Sequence, residues 1–310
     1  MESNATADLA NVPAGPPFDE ERRGISALLE GASLELSSRD PAEIDSCVDL
    51  LEPGTAVYIS FPPGQTYHGT VALAARIARA GFRPVPHVAA RRIAGPAALD
   101  DYLARAAGEA GVNSALVIAG DSDRPSGAFD SSLALLETGL FQRHGIVHIG
   151  VAGYPEGHPR IAASTLDAAL SAKKSLARRA GIDLCVVTQF CFEAESILSW
   201  AAKMKGHDLP MRVGLAGPAS LPRLLRFAAM CGVGNSVRAL RARPQAITRL
   251  MVEAGPEIAL RDLARRAGPP LAGVHFFCFG GLVRTARWLR AVRDGRFDLT
   301  EDGGFRVGAA

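Results

Sequence analysis

The amino-acid sequence predicts an α/β chain folded as a (β/α)8 TIM barrel, with a few extra helices between strands seven and eight. Three observations carry that expectation. From Ser33 onward, about eight short apolar runs alternate with amphipathic stretches of helical period. The runs are continuous rather than alternating, as in a parallel sheet covered on both faces. The turn after the first run, Ser37-Ser38-Arg39-Asp40, holds no glycine. A doubly wound open sheet that binds a nucleotide carries a glycine-rich turn there, and no such turn opens any later helix.

Residues 33–37 form the first strand. A helix is expected over 41–51, where Ile44, Val48 and Leu51 share a face and Pro41 suits a first helical turn. The second strand, 56–61, stops at Pro62-Pro63-Gly64, and a helix over 71–80 closes at Gly81. The third strand, 83–89, contains Pro84 and Pro86, so it is expected to be short or bent. A helix over 96–110 ends at Gly111. The fourth strand, 114–120, runs into Asp121, and a long loop leads to a helix over 131–143. The fifth strand, 148–152, breaks into Gly153-Tyr154-Pro155-Glu156-Gly157-His158-Pro159, a stiff polar loop pinned between prolines. A helix over 164–180 follows, with Ser164 as its N-cap. Strand 184–190, helix 194–205, strand 212–217 and helix 221–230 come next. Two or three further helices are expected within 235–267, then an eighth strand at 274–279 and a helix at 283–292. Residues 294–310 read as a tail of low regularity. Residues 1–17 are small, polar and rich in Pro and Gly, an expected flexible tail, which leaves 18–310 as one barrel domain.

A net charge of +2 over 310 residues gives no electrostatic ground for nucleic acid or an anionic membrane as partner. An aromatic content of 6% argues against a stacking platform for single strands. No apolar run approaches a membrane span, and no basic segment followed by an apolar one opens the chain. The five cysteines form no C-x-x-C pair. They read as reduced, mostly buried thiols of a cytoplasmic protein, with neither a disulfide framework nor a metal site.

In a barrel the chemistry sits at the C-terminal ends of the strands. Those ends carry Glu35, Ser60, His87, Asp121, then Tyr154 with Glu156 and His158, then Gln189 and His275. Each has a plain alternative: Asp121 as a cap, Ser60 as a structural hydroxyl, His275 as a satisfied core histidine. Glu35 is harder to dismiss, because it is flanked by Leu34 and Leu36 and alternate barrel residues face the interior. Desolvation there would raise its pKa and suit it to act as a general acid. Gln189 places an amide, both donor and acceptor, at the mouth, which suits a heterocycle with mixed edges.

Several ordered motifs resemble the methylenetetrahydrofolate reductase family. They are Pro86-His87, Gly120-Asp121, the segment Tyr154-Pro155-Glu156-Gly157-His158-Pro159, Thr188-Gln189-Phe190 with Phe192, and His275-Phe276. The resemblance runs from about Ser33 to Phe279, and the Tyr154–Pro159 segment is its most specific part. It implies FAD bound non-covalently at the barrel mouth, lined by Ser60, His87, Gly120, Asp121, Tyr154, His158, Asp167 and Lys174. It implies that Asp121 tunes the flavin, that Glu35 is the general acid towards a folate nitrogen, and that Gln189 binds the pterin. The substrate implied is a folate, interconverted between methylene- and methyl-tetrahydrofolate.

Where the family pattern carries an arginine before the strand-four aspartate, this chain has Ala119. Gly280 and Gly281 stand at its Asn and Arg, and Pro222 at an aromatic that stacks on ligand. These departures bear on the nicotinamide pocket. NAD(P)H as electron donor is therefore left open beside a separate electron carrier, and methyl oxidation is an expected direction. Two other readings compete: a flavin-free folate-binding barrel acting as a methyltransferase, and a non-catalytic partner subunit. The oligomeric state, including a homo-oligomer, is left open.

Overall fold

The computed structural model describes residues 16–36, 41–62, 64–231, 233, 255–266, 268 and 271–308. Eight parallel strands close in chain order: β1 (Ser33–Leu36), β2 (Ala56–Ile59), β3 (Arg83–Ala89), β4 (Ser114–Ile118), β5 (His148–Gly153), β6 (Asp183–Cys191), β7 (Met211–Ala216) and β8 (Leu271–Phe277). β8 pairs back onto β1, with Ser33 opposite His275. The outer layer holds α1 (Pro16–Leu28), α2 (Tyr67–Arg79), α3 (Pro96–Ala110), α4 (Ser132–Glu137) and α5 (Leu140–Arg143). It continues with α6 (Ala163–Ala180), α7 (Ala194–Met204), α8 (Leu221–Cys231), α9 (Glu257–Arg266) and α10 (Leu282–Arg293). Among the described residues no helix is long and apolar enough to cross a membrane.

Strand alternation separates two of the three buried apolar clusters among the described residues. Leu34, Leu36, Val57, Ile59, Val117 and Val151 belong to the large cluster between sheet and helices. Their neighbours Ala56, Tyr58, Val85, Leu116 and Val187 form a separate small cluster that fills the lumen.

Local differences from the sequence reading have physical causes. The segment after β1 holds two 3-10 turns, Pro41–Glu43 and Asp45–Cys47, instead of an α-helix. Their three-residue period buries Ile44, Cys47 and Leu51 and leaves Val48 half exposed. α2 starts a turn early, because the Thr66 hydroxyl caps it by accepting from Gly69 N. β3 runs its full length despite two prolines. Arg83 N donates to Thr55 O on the β2 side, so Pro84 and Pro86 turn their missing donors towards β4, where pairing begins only at His87. The helix expected over 131–143 is broken at Gly139, whose φ is 70°. α6 starts at Ala163 with no side-chain cap, so Ser164 is not its N-cap.

The tail expected over 294–310 contains an antiparallel hairpin, β9 (Phe297–Leu299) with β10 (Phe305–Val307). Phe297 and Phe305 are buried there, and Phe305 stacks against Trp288 of α10. α1 begins at Pro16, inside the stretch read as tail. Of the helices expected over 235–267, α9 is described and the remainder lies outside the described residues.

Candidate active site

Above the apolar plug of the lumen sits a polar layer. Leu34 and Leu36 face the helices, so Ser33 and Glu35 face the lumen. Glu35 Oε2 lies 3.4 Å from His87 Nε2 and 3.6 Å from His275 Nε2. Ser33 Oγ is 2.9 Å from His275 Nδ1. The Tyr58 ring lies under both imidazoles, 4.5 Å from His275 and 6.2 Å from His87 between centroids. Oε2 and the two Nε2 atoms are buried, and none has a hydrogen-bond partner of good geometry. The Glu35 side chain remains 17% exposed, so the carboxylate joins this buried layer to the mouth.

Burial pushes the Glu35 carboxyl up. The charge of His87 and the ring N–H of His275 outweigh it and hold the group below the ordinary glutamate range. Burial also holds His87 below the ordinary histidine range; Glu35 opposes that shift and His275 adds to it. The raised pKa expected for Glu35 is therefore corrected. The apolar flanks visible in the sequence are real, but the two imidazoles arrive from distant strands.

The mouth gathers Asp121, Tyr154 and His158. Gly120 has φ 88°, and a Cβ there would meet Ala89 Cβ at 3.1 Å; this turn delivers the exposed Asp121 past the end of β4. The Tyr154 and His158 rings meet edge to face at 5.0 Å. Burial, then the charge of Asp121, raises the Tyr154 pKa. Burial, then Arg160, lowers that of His158, with Asp121 opposing. The loop is braced by Gly157 N donating to Tyr154 O, by Arg160 N donating to His158 Nδ1, and by an Arg160–Asp123 ion pair at 2.6 Å.

Gln189 sits at a register shift between β6 and β7. The Thr188 hydroxyl repairs the ladder there, accepting from Gly214 N at 2.8 Å and donating to Gln189 O at 2.9 Å. Phe190 N donates to Gln189 Oε1 at 3.0 Å, which leaves Nε2 as the end available to a ligand. A narrow cleft opens between residues 154–157, 189–191 and the end of α8 at Cys231. Burial, with the charges of Asp121 and Glu35, pushes the Cys231 thiol up to about 11, so both carboxylates act on one cleft wall.

Three other expected residues have partners within the chain. Ser60 Oγ donates to Leu36 O at 3.3 Å and ties β2 to β1. Asp167 and Lys174 meet at His207 instead: Asp167 Oδ1 is 2.8 Å from His207 Nε2, and Lys174 Nζ donates to His207 O. A Cβ on Gly280 would lie 2.0 Å from the Pro218 carbonyl, so no side chain fits without a shift of the loop after β7. Gly281 has φ 106°, and Glu43 caps α10 beside it by accepting from Leu282 N at 2.7 Å. Pro222 is not aromatic, but one turn later Phe227 stacks on Phe279 at 4.2 Å. The sequence reading missed Ser33 and Phe227, and it placed His275 at a strand end and in a motif without giving it a role. The S-x-E spacing on one strand face was the available signal for Ser33.

The chain is similar to several known proteins. Among solved structures, dihydropteroate synthase from Thermus thermophilus aligns with a TM-score of 0.44 and 15% identity, over 85% of this chain and 93% of that one. 2,3-dimethylmalate lyase aligns at 0.43 and 12% identity, over 77% and 94%. A mandelate racemase/muconate lactonizing enzyme from Bordetella bronchiseptica aligns at 0.42 and 12%, over 84% and 56%. These values carry no inference about ligand or activity. The family model described as methylenetetrahydrofolate reductase matches residues 52–276, which takes in β2 to β7 and all but the last residue of β8, and leaves Glu35 outside on the N-terminal side. With most of its length matched, the chain belongs to the methylenetetrahydrofolate reductase family.

Proposed function

We propose that this protein is a flavin-dependent oxidoreductase that interconverts 5,10-methylenetetrahydrofolate and 5-methyltetrahydrofolate, working in the methyl-oxidising direction. Family membership supports folate-related one-carbon chemistry. The observation that carries the finer reading is Glu35: a carboxyl group at the mouth of the lumen, backed by two imidazoles at 3.4 and 3.6 Å.

The strand ends fit a flavin. His87 Nε2 is a buried polar atom without a hydrogen-bond partner, and past the ends of β4 and β5 Asp121 acts on both Tyr154 and His158. FAD would be held by His87, Gly120, Asp121, Tyr154 and His158, with Ser60 at the neighbouring strand end. Asp167 and Lys174 have the least support in this set, because His207 already engages both. When bound, the flavin supplies hydride exchange with the one-carbon unit.

The residues of the chain handle protons and charge. In the oxidising direction N10 of the folate attacks the one-carbon unit, a C–N bond forms, and N10 releases a proton to the Glu35 carboxylate. In the reverse direction that bond breaks, its electron pair stays on N10, and N10 takes a proton from Glu35. The negative charge of Asp121 stabilises positive charge on the folate. Gln189 Nε2 donates to the pterin. The closed-off Gly280 and Gly281 supply no polar side chain to a nicotinamide, which favours a separate electron carrier over NAD(P)H.

The test is the visible spectrum of the purified protein. It is expected to be yellow, or to become so with FAD, and to bleach anaerobically with 5-methyltetrahydrofolate but only slowly with NADH. A colourless protein that takes up no FAD would instead support a flavin-free methyltransferase, and rapid bleaching by NADH would overturn the separate carrier.

A further inference from the structure

The polar layer is deeper than a general acid or base needs. An isolated carboxylate at the mouth could exchange its proton with water. Here Glu35 Oε2 is turned inward to His275, which is fully buried, and the far ring nitrogen of His275 is held by the fully buried Ser33 hydroxyl. A hydroxyl both donates and accepts. When Ser33 donates to Nδ1, the neutral imidazole carries its proton on Nε2, facing Glu35. When Ser33 accepts from Nδ1–H, Nε2 faces Glu35 as a lone pair or, doubly protonated, as a donor. The pair is therefore built to let the ring change protonation without stranding Nδ1.

We propose that His275 is a positioning residue that holds the reaction proton for Glu35, taking it up and returning it at Nε2 while the Ser33 hydroxyl keeps Nδ1 partnered, with His87 as the second imidazole on the same carboxylate oxygen. The proposal rests on the folate reading given above. In the reducing direction the carboxylate left after proton transfer to N10 takes a proton from Nε2 of the doubly protonated His275 ring, forming O–H as N–H breaks and leaving a neutral imidazole whose Nδ1–H is accepted by Ser33. In the oxidising direction the proton on Glu35 moves onto His275 Nε2. No electron is transferred in either step. The titratable groups facing His275 are Glu35 from β1, Tyr58 from β2 and His87 from β3. Burial raises the Tyr58 phenol well above its ordinary range, so Tyr58 does not titrate with the others. Glu35, His87 and His275 therefore form one contact unit, with both imidazoles facing the same carboxylate oxygen.

Two measurements test this. In the first, the flavin-loaded protein is mixed anaerobically with 5-methyltetrahydrofolate and bleaching is followed against pH. His275→Gln is expected to slow bleaching by about 10²-fold and to shift the pH profile, with FAD uptake unchanged. Ser33→Ala, a milder change, is expected to shift the profile in the same sense. In the second, the protein without flavin is labelled with ¹⁵N-histidine, and ring tautomers are read by NMR across pH. His275 is expected to change protonation in step with His87, and Glu35→Gln to abolish that coupling. Wild-type bleaching with unchanged profiles in both variants, or a His275 ring fixed in one neutral tautomer and indifferent to Glu35→Gln, would overturn the relay. Failure of wild-type protein to respond to methyltetrahydrofolate would overturn the folate reading, while the NMR outcome would still decide the relay.

Discussion

At the scale of single residues, position matters more than residue type. Glu35 was legible from Leu34-Glu35-Leu36, because an acid between two buried leucines must face the lumen. Its charge state was not legible, since His87 and His275 lie 52 and 240 residues away in sequence and meet it only when β8 closes on β1. Replacing Glu35 with Gln is expected to lower folate turnover by at least about 10²-fold while flavin binding persists; survival of turnover would remove Glu35 from the chemistry. Gly120 was legible only as a motif member, and its left-handed φ and the nearby Ala89 Cβ give the reason for it. Gly120→Ala is expected to lower stability by about 1–2 kcal/mol, read by urea unfolding, and to weaken FAD uptake by displacing Asp121.

At the scale of elements, strands and long helices were legible, and short or broken ones were not. α3 was legible because Pro at its first turn and Gly111 past its end both favour those places. The 3-10 turns after β1 were not, because four-residue and three-residue spacings both place Ile44 and Leu51 on one side. The glycines ending β8 were visible as departures, while their cause, the Pro218 carbonyl, was not. Gly280→Asn is expected to destabilise by about 1–3 kcal/mol through overpacking, seen as a lowered Tm; an unchanged Tm would show that the β7 loop yields freely.

α1 is clamped to α9 by Glu21, which pairs with the buried Arg261 at 2.9 Å and with Arg265 at 2.5 Å. Partial burial pushes Glu21 up, but Arg265 and Arg261 outweigh it and hold the carboxyl below the ordinary range. A depressed folded-state pKa stabilises above the unfolded value and loses its contribution as pH falls through the folded one. Glu21→Gln should therefore cost about 2 kcal/mol at neutral pH and flatten the acid limb of the stability curve. An unchanged acid limb would remove the clamp from the stability of the fold.

At the scale of the whole molecule, the barrel was legible because eight apolar runs with intervening helices leave few ways to cover both faces of a parallel sheet. The hairpin near the C-terminus was not, because its two three-residue strands fall below the length at which period-2 alternation can be read. Closure also decides function: it brings β1, β2, β3 and β8 around one lumen, where Glu35 meets its two imidazoles. The most direct measurement is an anaerobic titration of the FAD-loaded protein with 5-methyltetrahydrofolate, following the visible flavin band. The account predicts stoichiometric bleaching that Glu35→Gln suppresses. A protein that binds no flavin, or whose flavin band is unchanged by methyltetrahydrofolate, would contradict it.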